Sequence, residues 1–267
     1  MPAVFFVAAM VMYFLGTALS LAYLLRRSEA LSNILLIVTG LGFLVHTGAL
    51  LTRMITGGSA PLSSFGEAMS FFSWALVLVF LLVEFRNRVP VLGSFILPIA
   101  FISIVSAAAL PQEVPTLEPV LKTVWVHVIL SMLGTVGFAV AFAAGLMYLI
   151  QDGLLKSKRF NVLYAKLPPL DYLDRLNQQS IVLGFPLLTL GIITGALSAE
   201  FARGSYLNWN PEQTGALITW LFYFIVLVGR LTVGWRAKRA AYLTIIGFAC
   251  VVLTFIGVLM KSHGTIA

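Results

Sequence analysis

Three histidines and one aromatic loop are the residues of this chain whose types reach beyond packing. Residues 202–214 read A-R-G-S-Y-L-N-W-N-P-E-Q-T. Gly204, Asn208, Asn210 and Pro211 favour turn geometry over helix, so the stretch is a loop. Tyr206, Leu207 and Trp209 are too apolar for a loop that only meets water. Such a loop at a membrane exit is either an interfacial anchor or a platform for a flat apolar ligand. His127 and His263 stand near its level, at the start of one apolar run and just past the end of another. Two neutral imidazoles at one depth can hold a metal centre. Haem iron takes axial imidazole, and the porphyrin needs flat apolar walls. No thiolate or carboxylate cluster competes for zinc. The plainer reading makes His127 an interfacial helix residue and His263 a solvated tail residue, and spacing alone favours it.

His46 lies inside an apolar run. An ionisable residue there is a functional candidate by default. A lone histidine also serves a membrane bundle by hydrogen-bonding a neighbouring helix, and with no partner histidine inside the membrane the structural reading leads. Cys250 is the only cysteine, so no internal disulfide forms, and without a C-x-x-C-H motif the chain carries no covalent haem of its own.

The elements that position these residues follow from composition. Of 267 residues, 60% are hydrophobic and 10% charged, too little charge for the surface of a soluble domain. A helix crosses the hydrocarbon layer with roughly 20 residues. Strand alternation is absent, and helices satisfy their own backbone in lipid. The fold class is therefore an all-α polytopic membrane protein. Eight spans are predicted, near 3–25, 31–52, 66–84, 91–110, 124–150, 179–199, 215–232 and 240–260, in a single domain over 1–267. Pro98 and Pro186 fall inside spans and should kink them. Ser63 or Ser64 is placed to cap the third span, with Glu67 closing a capping box. Leu170, Leu173, Asp174, Leu176 and Asn177 have helical spacing after Pro168-Pro169 and predict a short amphipathic helix at the inner surface.

Of the 17 Lys and Arg residues, only Arg53, Lys122, Arg203 and Lys261 fall on one side of this arrangement. The rest fall on the other, which is cytoplasmic by the positive-inside rule. Both termini and the 202–214 loop are then outside. The net charge of +7 is accordingly a topology signal and not a nucleic-acid footprint.

These residues carry a resemblance. The stretch R-G-S-Y-L-N-W-N-P-E-Q resembles the external loop W-G-x-Y-W-x-W-D-P-K-E of the CcsA/ResC family of cytochrome c maturation proteins, including its HemX-like branch. Gly204, Tyr206, Trp209 and Pro211 match. Similar flanking stretches are P-L-S-S-F-G-E-A-M-S-F-F-S-W (61–74), L-P-P-L-D-Y-L-D-R-L-N (167–177), G-F-P-L-L-T-L-G-I-I-T-G-A-L (184–197) and A-L-I-T-W-L (216–221). The resemblance implies a multi-pass protein of the bacterial inner membrane that handles non-covalent, b-type haem at the outer surface. It implies transfer of that haem, with a ResB/CcsB-like membrane partner, to apocytochrome c. The family's external ligating histidines map onto His127 and His263, which reverses the plainer reading of both. Trp209, Tyr206, Asn210 and Pro211 fall on the haem-handling loop.

The chain also departs from the pattern. Arg203 and Leu207 replace tryptophans, Asn210 replaces an aspartate, and Glu212-Gln213 replaces Lys-Glu. In the seventh span L-V-G-R stands for L-H-T-R, with Val228 at the histidine of a transmembrane haem site. These departures keep two alternatives open. One is a membrane subunit, with or without haem, beside the cytochrome subunits of a respiratory electron-transfer complex. The other is a HemX-like regulator or scaffold of haem-biosynthesis enzymes.

Overall fold

Long apolar runs with few charges form helix because only helix leaves no backbone polar group facing lipid. The computed structural model describes residues 2–26, 28–56, 62, 64–110, 124–158, 162–206, 209 and 211–262. Among these there is no strand. The helices are α1 (Pro2–Leu25), α2 (Glu29–Thr56), α3 (Phe65–Asn87), α4 (Gly93–Ala109), α5 (Val124–Lys156), α6 (Val162–Lys166), α7 (Leu170–Arg203), α8 (Pro211–Val228) and α9 (Ala237–Ser262). A 3-10 turn (Pro90–Leu92) leads into α4, and a π-helical turn (Gly229–Val233) extends α8. All but α6 are long and apolar enough to cross a membrane, giving the eight spans the sequence predicts. The chain is an all-α polytopic membrane protein.

Two groups of helices pack side by side. In the first, α1 pairs with α2 and α4, and α3 with α4; in the second, α5 pairs with α7 and α9, and α8 with α9. Contacts of α3 and α4 with α5 join them. The core accordingly runs through α3, α4 and α5, with Phe72, Phe80, Ile96, Leu97, Ile104 and Phe138 fully buried. Indole N–H groups inside the bundle find threonines on neighbouring helices. Trp74 donates to Thr47 Oγ1 and Trp220 to Thr189 Oγ1, each at 2.9 Å.

The α5–α7 pair is the most extensive contact, and glycine makes it possible. A Cβ on Gly134 would stand 2.7 Å from the backbone nitrogen of Leu188, and one on Gly137 2.8 Å from the Ser180 carbonyl oxygen. A Cβ on Gly184 would stand 2.8 Å from the Gly134 carbonyl oxygen. The two backbones touch directly, as small residues allow in membranes.

The separate amphipathic helix expected at 170–177 is instead the first turns of α7, which runs on without a break through Pro186 to Arg203. The polar residues that suggested a membrane-surface face are paired inside the bundle. Asn177 donates to the Ala141 carbonyl oxygen at 2.6 Å, and Arg230 donates to Asp174 Oδ1 at 3.1 Å and to Asn177 Oδ1 at 2.5 Å. The Ala237 backbone N–H also donates to Asp174 Oδ1, so that carboxylate joins the π-turn to the start of α9. α4 likewise continues through Pro98. Ser64 caps α3 as expected, accepting from the Glu67 backbone N–H at 3.2 Å. The Glu67 carboxylate forms an ion pair with Arg53 at 2.9 Å, which ties the end of α2 to the start of α3.

Candidate functional site

His127 lies in the first turn of α5, half-buried against α7. It rests there because α7 offers it bare backbone. A Cβ on Gly195 would stand 2.5 Å from His127 Nδ1, so any side chain at 195 would occupy the place of the ring. One turn down, a Cβ on Gly191 would stand 2.9 Å from the Ser131 backbone nitrogen. The two glycines let the helices close, and His127 Nδ1 comes within 2.6 Å of the Gly191 carbonyl oxygen. Ser131 Oγ stands 3.4 Å from the same nitrogen. Among the described residues Nε2 of His127 has no hydrogen-bond partner.

The aromatic loop sits at the end of α7, about 12 Å or two turns beyond Gly195 at the helical rise. Gly204 ends the helix in the left-handed conformation (φ 68°), its N–H donating to the Glu200 carbonyl oxygen at 2.8 Å. Pro211 begins α8 at the first helical position, where its missing N–H is no loss. Two of the four residues the sequence marks as turn formers are thus a C-cap and an N-terminal proline. Between them Tyr206 is 54% and Trp209 70% exposed. Trp209 adopts φ 47°, a left-handed conformation that costs a bulky L-residue about 1–2 kcal/mol. Leu207, Asn208, Asn210 and His263 lie outside the described residues, so the structure gives the pair of histidines through His127 alone. α9 ends at Ser262, the residue before His263.

His46 is fully buried, and both its ring nitrogens are engaged. Nδ1 lies 3.1 Å from the Tyr13 hydroxyl and Nε2 2.9 Å from Ser70 Oγ, so the ring bridges α1, α2 and α3. Phe6 and Tyr13 pack edge-on against it. With no nitrogen to spare it is a structural residue, as the sequence reading favours. Val228 faces outward on α8 at 39% exposure.

A single imidazole with a nitrogen to spare is a donor that haem iron accepts. His127 has one nitrogen committed to the scaffold and one uncommitted, and no group of three or more His, Cys, Asp or Glu is assembled among the described residues. The sequence reading missed Gly191 and Gly195. Their spacing in L-G-I-I-T-G-A-L is a G-x-x-x-G close-approach signal, but what approaches is 64 residues away in sequence.

A family model described as Cytochrome C assembly protein matches residues 62–266. The cytochrome c biogenesis protein CcsA of Guillardia theta is 34% identical over 234 residues, covering 80% of this chain and 78% of that one. CcsA of Prochlorococcus marinus subsp. pastoris is 31% identical, covering 95% and 88%. Among solved structures, the cytochrome c haem lyase CcmF superposes with a TM-score of 0.65 at 17% identity. The match covers 98% of this chain and 49% of that one, so the chain spans about half of CcmF and shares its fold. The matched segment takes in α3 to α9 with His127, the aromatic loop and His263, and the chain belongs to the cytochrome c assembly protein family.

Proposed function

We propose that this membrane component of cytochrome c assembly holds haem at its outer face and presents it for attachment to apocytochrome c. The observation that carries the reading is His127. Its Nε2 is uncommitted, and its Nδ1 is tied to α7, the helix whose far end leads into the loop with the exposed Tyr206 and Trp209. His127 and His263 would hold the iron in this reading. Trp209 and Tyr206 offer apolar faces to the macrocycle, and Pro211 fixes the loop's return into α8. When bound, haem supplies the iron redox couple and the vinyl groups to which cysteine thiols add. In this reading the chain's own work is to position the haem. A second membrane protein of the ResB/CcsB type and the apocytochrome complete the assembly.

The test is the absorption spectrum of the protein purified under haem-replete conditions, compared with His127→Ala and His263→Ala. Two imidazoles make low-spin iron. Each substitution should remove one imidazole from the iron and lose the low-spin bands, and added imidazole should restore them. A wild-type protein with no Soret band would overturn the reading. The loop would then be an interfacial anchor, and the electron-transfer subunit or HemX-like scaffold would take its place.

A further inference from the structure

We propose that Gly191 and Gly195 are positioning residues that fix the tautomer of His127, so that Nε2 always presents its lone pair. The inference rests on reading His127 as an iron ligand, and it adds which nitrogen binds and what sets it.

A carbonyl oxygen only accepts, so a nitrogen 2.6 Å from the Gly191 oxygen must carry a hydrogen. In a neutral imidazole the other nitrogen then holds the lone pair. A mid-helix carbonyl is ordinarily hidden behind the side chains of its own helix. Here it is open because Gly195, one turn on, has no side chain. A Cβ there would lie 2.5 Å from Nδ1 and 2.6 Å from Cε1, displacing the ring rather than crowding it. Gly191 contributes differently, since its own missing Cβ lets the Ser131 backbone of α5 come close. Thr194 Oγ1 also stands 3.0 Å from the Gly191 oxygen, its single hydroxyl proton shared with the Leu190 oxygen at 2.8 Å. Ser131 Oγ, 3.4 Å from Nδ1, is the other group facing this nitrogen. The ring is thus held by its Nδ1 edge and free at its Nε2 edge. A ligand histidine oriented through its second nitrogen to a carbonyl is a stronger and better-aimed donor than a free one.

The first measurement needs no haem. Histidine nitrogen NMR on the apoprotein in bilayers, assigned with His46→Ala and His263→Ala, should show His127 protonated at Nδ1 and unprotonated at Nε2. A ring protonated at Nε2 overturns the proposal, whatever the protein does with haem. A ring protonated at Nδ1 in a protein that takes up no haem leaves the tautomer standing and sinks only the haem reading. The second measurement is Gly195→Ala. Its His127 signal should lose the single tautomer, and haem affinity should fall about tenfold to a hundredfold, as for loss of a ligand's orienting partner. Added imidazole should restore the low-spin spectrum. His127→Asn separates position from folding, because its amide N–H can still reach the Gly191 oxygen. It should keep the wild-type melting temperature and lose the ligand. A Gly195→Ala protein with wild-type tautomer and wild-type affinity would refute the role given to Gly195.

Discussion

His127 and His46 show how little residue type decides alone. Both are histidines on helices of one bundle, and the difference between them is in the ring nitrogens. His46 spends both on Tyr13 and Ser70, while His127 spends one on Gly191. His46→Ala should therefore leave any haem spectrum unchanged. It should still destabilise the protein by about 1–3 kcal/mol, because the Tyr13 and Ser70 hydroxyls lose a buried partner. Thermal unfolding in detergent measures the second effect and the Soret band the first. Loss of the haem signal on this substitution alone would make His46 a ligand. The histidines were readable in the sequence as chemistry-bearing types. Their hydrogen bonds were not, because Tyr13, Ser70 and Gly191 lie 33, 24 and 64 residues away.

The spans were legible because each apolar run is long enough to fill the hydrocarbon layer without help from its neighbours. The stretch 170–177 was misread for the opposite reason. Asp174 and Asn177 look like a solvated face until Ala141, Arg230 and Thr244 are brought to them by other helices. The glycine seam between α5 and α7 gives a contrast within one helix. Gly134→Ala puts a methyl group against the backbone of Leu188 and should cost about 1–3 kcal/mol by overpacking. Gly153→Ala, where a Cβ meets nothing within 4 Å, should instead stabilise α5 by about 0.5–1 kcal/mol. Equal effects of the two substitutions on melting would mean that the seam is not under contact.

At the scale of the whole molecule the prediction is sidedness. Eight spans return the chain to the side it started from, and the excess of Lys and Arg in the alternate connections puts that side outside. Reporter fusions at Ser157 and Ala267 should report opposite faces of the membrane. A common face would require a different number of crossings. The outer face then carries the aromatic loop and His263, and the inner face the Arg230–Asp174–Asn177 network and α6.

That small inner helix sets a condition on biosynthesis. Lys166 at its end donates to the carbonyl oxygens of Tyr23, at 2.5 Å, and Leu24, at 2.8 Å, the last turn of α1. The ammonium stands 5.4 Å from the centre of the Tyr23 ring. Those α1 carbonyls have no helix beyond them to bond. They wait for a residue made 143 positions later. At 5–20 residues per second the wait is roughly 7–30 seconds, by which time the ribosome has delivered α2 to α5. The first span is therefore held in the meantime by its apolar length and by α2 and α4, and its inner end is tied to α6 only when the middle of the chain has emerged.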